Sequence, residues 1–125
     1  MTTTWTTDEL DRVGSAEELR IASLRQDGRL SKPRTIWVVR ADDALYVRSV
    51  YGPRSDWYRS TRVRQEGHIQ AGGVAKDVAL VDAGEETNGV VDAAYRNKYS
   101  HYAAEIIRAI TSPEASSTTM RLDPR

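Results

Sequence analysis

The sequence predicts a mainly β protein with helices, of the α+β class, and three observations predict it. Runs rich in β-branched and aromatic residues recur through the first two thirds (TIWVV, ALYVRSV, VAKDVALV). Short turn signals separate them, and apolar spacing of helical period is clearest in the last third.

The elements follow in order. Thr6 and Glu9 have the spacing of a capping box, which predicts a short helix from about Thr7 to Val13, stopped by Gly14, within an N-terminal arm over 1–14. Leu19 to Leu24 alternates apolar and polar residues and predicts a strand, followed by the Asp27-Gly28 turn. Thr35–Arg40 and Leu45–Val50 predict a hairpin closed around Asp42-Asp43, so that the first three strands form an antiparallel meander. After the Gly52-Pro53 break, Ser55 to Arg62 reads as a short helix with Ser55 as its N-cap. His68–Ala71 and Val74–Val81 predict a second hairpin, because both residues of Gly72-Gly73 take positive φ readily. Thr119–Leu122 supplies a sixth strand. Residues 86–112 read as helical: Val91, Ala94 and Tyr95 form one apolar stripe, and Ala103, Ile106, Ile107 and Ile110 another, ended by Ser112-Pro113.

Composition bounds the function. A chain of 125 residues is expected to form one domain over its whole length, small enough to gain from self-association. With 18 basic and 18 acidic residues the formal charge is zero, which argues against a dedicated nucleic-acid binder. Cysteine is absent, which excludes disulfides, thiolate metal sites and thiol nucleophiles. The two histidines, His68 and His101, have no metal-ligand spacing, so no metal is expected. The opening MTTTWTTDELDR lacks the basic and apolar regions of a signal peptide, and no apolar run reaches membrane-spanning length. The expected location is cytoplasmic, with no membrane association. No P-loop, GxGxxG, CxxC, HExxH or Gly-x-Ser-x-Gly motif is present.

The charge is nevertheless unevenly placed. Arg48, Arg54, Arg59, Arg62 and Arg64 fall within seventeen residues against one acid, Asp56. Arginine's planar fork suits phosphate or carboxylate, and a helix starting at Ser55 would offer free backbone N–H groups beside Arg48, Ser49 and Arg54. The same run also reads as a solvated face. Trp37, Trp57, Tyr46 and Tyr58 offer flat surfaces for a ring ligand, or the aromatic packing of a chain without phenylalanine. His68, beside the glycine hairpin, is a further candidate for ligand contact or acid–base work, the alternative being a surface or core role.

The stretches TIWVVR, LYVRSV, WYR, GHIQAGGV and DAAYRNKY resemble the small bacterial family known as domain of unknown function 2255 over almost the whole chain. The segment order also resembles the wider superfamily of pyridoxamine-phosphate-oxidase-like split β-barrels. That resemblance implies a six-stranded antiparallel split barrel with flanking C-terminal helices, forming a homodimer with two equivalent ligand sites at the interface. Members of that superfamily bind FMN, a deazaflavin coenzyme or haem, and the resemblance implies for this chain a flavin-type coenzyme, either deazaflavin or FMN, and oxidoreductase chemistry. By local pattern Arg48, Ser49, Arg54 and Ser55 take the positions that grip the coenzyme phosphate, with Arg59 nearby and Trp37 or Trp57 against the ring. Arg59 and Arg62 stand where many flavin-binding members carry lysine. Tyr95 to Tyr99 resembles the Tyr-x-x-Lys-Tyr element of the deazaflavin-using branch, adding Lys98 and Tyr99 to the expected contacts. The alternative is a cofactor-free binding module, or a small non-redox enzyme, using the same pocket for an anionic or aromatic small molecule.

Overall fold

In the computed structural model, which describes residues 4–125, one sheet of seven antiparallel strands carries the architecture. In chain order the strands are β1 (Leu19–Ser23), β2 (Arg34–Ile36), β3 (Val39–Ala41), β4 (Ala44–Val47), β5 (Glu66–Ala71), β6 (Val74–Asp82) and β7 (Met120–Pro124). Their spatial order is β2-β1-β5-β6-β7-β4-β3. The helices are α1 (Thr7–Ser15), α2 (Asp56–Thr61), α3 (Asn88–Lys98), α4 (Ala104–Ile110) and α5 (Pro113–Ser116). Of the predicted N-terminal arm, residues 1–3 lie outside the described residues.

Seven strands replace the expected six because TIWVVR is not one strand. Its first part pairs with β1 at one edge of the sheet, and its last part pairs with β4 at the other. Only Trp37 and Val38 separate the two edge strands, so the sheet has to curl until its edges meet at this corner. The corner leaves Val38 without ladder partners. Tyr99 and Lys98 of α3 replace them: the Val38 carbonyl accepts from Lys98 Nζ at 2.6 Å and from Tyr99 Oη at 3.2 Å, while its N–H points at Tyr99 Oη at 3.4 Å.

The hairpin around Gly72-Gly73 forms as predicted. The one around Asp42-Asp43 forms only between Val39–Ala41 and Ala44–Val47, and the expected meander of the first three strands does not form, because Arg34–Ile36 pairs with β1 at the far edge. Gly72 and Gly73 have φ of 56° and 84°, the primed-turn geometry that matches strand twist, and a Cβ on Gly72 would collide with the Arg12 carbonyl. Asp42 takes φ 54° in the acidic turn. The predicted sixth strand becomes β7, which lies between β6 and β4 rather than at an edge.

Strand alternation divides the core in two. Val38, Leu45, Val47, Ile69, Val78, Leu80, Met120 and Leu122 fill the concave side, joined by Leu10 and Val13 of α1. The capping box at Thr6 and Glu9 fixes the start of that helix. Val39 and Tyr46 face the opposite way and pack against Val91, Tyr95, Tyr99 and Ile110 of α3 and α4. The predicted apolar stripe of α4 is only partly covered: Ile110 is buried and Ile107 half-buried, but Ile106 is 42% exposed and Ala103 is exposed. The helix is seven residues long and packs chiefly on α3 and α5, which leaves Ile106 on the wall of a cavity.

Candidate functional site

Between the β1–β2 edge, the segment after β4 and α4 lies a cavity of about 730 Å³. That volume is in the range of small-molecule sites. Ile36, Val50, Ile106 and Ile110 give it apolar walls, Trp37 and Trp57 contribute indoles, and Arg34, Arg54, Glu18 and Asp56 contribute charge.

Register explains why Arg34 reaches this space. It pairs directly with Ile21 across β1 and β2, and directly opposed residues share a face of the sheet. Ile21 faces the core, so the arginine stands on the core-facing side of an edge strand, at the mouth. Arg54 enters from the 3-10 turn Gly52–Arg54 that precedes α2. Among the described residues neither arginine has an acidic partner, whereas Asp56 is paired with Arg59 at 2.9 Å.

The arginine cluster therefore does not act as one patch. Arg48 borders the cavity, but its side chain is fully buried and committed elsewhere. Nε donates to Thr119 Oγ1 at 2.8 Å, Nη1 to the Asp92 carboxylate and to the Ile110 carbonyl at 3.2 Å, and the guanidinium lies 5.5 Å from the centre of the Tyr95 ring. Arg59 is exposed outside the cavity, Arg62 makes a two-pronged bond to Asp82, and Arg64 is exposed. Ser49 is buried: its hydroxyl donates to the Gly52 carbonyl and accepts from Ser55 Oγ, each at 2.7 Å. Ser55 lines the cavity and occupies the N-cap position of α2, yet its side chain does not cap the helix.

The remaining expected residues separate in the same way. Trp37 and Trp57 line the cavity. Trp37 stacks one face on Tyr99, with ring centroids 3.8 Å apart and planes 5° from parallel, and Trp57 meets Tyr58 edge-on at 6.3 Å. Lys98 and Tyr99 are behind this wall, not in it. Lys98 Nζ donates to the carbonyls of Ala16 and Val38, both at 2.6 Å, and burial lowers its pKa to about 8. Burial raises the pKa of Tyr99 and Tyr95. His68 is on β5 beyond the cavity, its Nδ1 2.9 Å from Asp77 on β6. Sequence reasoning missed Arg34, Tyr51 and Ile106. For Arg34 the available signal was its place two residues before Ile36, on the strand face that proves to be inward.

Among the described residues, no group of three or more His, Asp or Glu side chains is placed to hold a metal ion, and no helix is long and apolar enough to cross a membrane.

No protein of curated function matches the sequence. Among solved structures, the chain is similar to the heme storage protein HutZ from Vibrio cholerae, at 15% identity and a TM-score of 0.63, over 95% of this chain and 89% of that one. It is also similar to an F420 reductase, at 10% identity and a TM-score of 0.61, over 93% and 92% of the two chains. A FAD-binding protein from Mesorhizobium loti gives 18% identity and a TM-score of 0.57, over 100% and 94%. At these identities the likeness establishes the fold alone, a curled antiparallel sheet with flanking helices. Residues 9–122 match the bacterial family described as "Uncharacterized protein conserved in bacteria (DUF2255)", and the chain belongs to that family.

Proposed function

We propose that the cavity binds an anionic aromatic small molecule of the flavin-coenzyme class, deazaflavin or FMN, and that the protein is an oxidoreductase built on that coenzyme. One observation carries this reading: two arginines without acidic partners, Arg34 and Arg54, stand on an otherwise apolar cavity that two tryptophans line. A ring would be held against Trp37 and Trp57, and an acidic substituent by the arginines. The bound coenzyme would supply the hydride chemistry. The chain's own side chains would orient it and keep water from its ring.

The free edge of the cavity supports a homodimer. Val50, Tyr51 and Ile106 are all exposed, Tyr51 by 78%, and all line the cavity mouth. A second copy laid across this patch would cover it and narrow the opening. Ser49 and Arg48 would then serve as scaffold behind the site, with Lys98 and Tyr99 holding Trp37 in place from the other side.

A second reading, a cofactor-free pocket for another anionic or aromatic ligand, is favoured by one specific fact. Arg48 and Ser49, the expected phosphate-gripping pair, spend their donors inside the protein. Titration of the purified protein with FMN and with the deazaflavin coenzyme, read by tryptophan fluorescence, decides between them. Quenching with a dissociation constant below about millimolar, equivalent to ~4 kcal/mol, supports the coenzyme. Silence with both leaves the cofactor-free pocket.

A further inference from the structure

Behind Trp57 a second cavity of about 110 Å³ opens, lined by Ile21, Ser23, Ser31, Lys32, Ser60 and three residues it shares with the larger one, Arg34, Asp56 and Trp57. It has room for a few waters, and hence for a compact polar group and not for a second ring. Its chemistry differs from that of its neighbour. Lys32 and Arg34 both bring positive charge, and among the described residues neither has an acidic partner. Ser23 is only 3% exposed, it borders this space, and its hydroxyl has no hydrogen-bond partner among the described residues. The Ser60 hydroxyl, on a half-buried residue one turn along α2 from Asp56, also has no hydrogen-bond partner among the described residues. The carboxylate of Asp56 would oppose an anion, but it is already bound by Arg59 at 2.9 Å.

Two cations and two hydroxyls against one carboxylate, itself held by Arg59, surround a space of this size. We propose that it receives the phosphate of the ligand whose ring occupies the larger cavity, the connecting chain passing Trp57. This rests on the function proposed above and adds to it where the phosphate lies: on Lys32, Arg34, Ser23 and Ser60, not at the start of α2. Arg34, common to both cavities, would sit at the junction. Arg54 is left for the carbonyl edge of the ring. Phosphate is a better match than a single carboxylate, because its second charge uses the second cation.

The test compares FMN with riboflavin, which has the same ring and no phosphate, by tryptophan quenching in the wild-type protein, Lys32→Ala and Arg34→Gln. Both side chains are exposed, so the variants should melt with the wild type. The expected result is a tenfold or greater loss of FMN affinity in each variant, with riboflavin affinity unchanged in Lys32→Ala. Inorganic phosphate, followed by ³¹P line broadening, should bind the wild type and fail to bind Lys32→Ala. Wild-type FMN affinity in Lys32→Ala would overturn the subsite while leaving the larger cavity's role intact. If neither flavin binds the wild type, the coenzyme reading falls and the phosphate experiment decides alone. Broadening that Lys32→Ala abolishes would then support the subsite, and its absence in the wild type would overturn it.

Discussion

Arg48 offers the sharpest test, because the sequence and the structure assign it opposite behaviour. As a phosphate ligand it would be dispensable for folding; as the structure places it, it is part of the frame. Its side chain is fully buried, and Asp92, its ionic partner, is 22% exposed. Replacement by alanine removes the bonds to Thr119, Ile110 and Asp92 together and leaves the Asp92 carboxylate without its counter-charge. Removing one partner of a buried pair costs about 3–5 kcal/mol, and the partial exposure of Asp92 favours the lower half of that range. Against a total stability of about 5–15 kcal/mol the loss is large. At roughly 4 °C per kcal/mol for a chain of this size, it lowers Tm by about 12–16 °C. Urea unfolding followed by circular dichroism measures the cost directly. The variant Arg48→Met with Asp92→Leu should recover part of it, since it removes both charges and keeps the volume. An Arg48→Ala protein within about 1 kcal/mol of wild type would refute the scaffold assignment.

The other expectations are as follows. Arg54→Ala should weaken FMN or deazaflavin binding by about 1.5–3 kcal/mol, the range for hydrogen bonds to charged groups, with unfolding free energy within about 0.5 kcal/mol of wild type; unaltered affinity in isothermal titration would show Arg54 to be solvated only. Tyr51→Glu should convert a homodimer to monomer by light scattering at micromolar concentration, and a wild-type monomer there would remove the dimer proposal. Lys98 gives a pH signature: its folded pKa of about 8 lies below its ordinary value, so between about pH 8 and 10 the unfolded chain binds more protons and stability rises with pH. Above about pH 10 the trend reverses, because burial suppresses ionisation of Tyr95 and Tyr99 in the folded state. The gap between wild type and Lys98→Met should therefore widen in favour of wild type from pH 7.5 to 9.5, and parallel urea midpoints across that range would contradict the burial of the amine.

What the sequence revealed and what it hid divide along a physical line. Local chemistry was legible. The capping box, the Gly72-Gly73 turn and the apolar stripe on α3 each depend on residues a few positions apart, and each forms. Closure of the sheet was not legible, because nothing within TIWVVR marks the point where a strand leaves one partner and joins another. That break depends on Val38 finding Lys98 and Tyr99 sixty residues later. The same limit governs the site. Counting arginines between Arg48 and Arg64 finds charge, but whether a cation is free depends on which acid the fold brings to it. Asp92 and Asp82, both distant in sequence, take Arg48 and Arg62. Arg34, outside the cluster and unremarkable by spacing, has no acidic partner among the described residues: its neighbours on β1 are Leu19, Arg20 and Ile21, and Asp56 across the cavity is paired with Arg59. Which cation the fold leaves unpaired next to an apolar cavity is a property of the curled sheet, not of any stretch of its sequence.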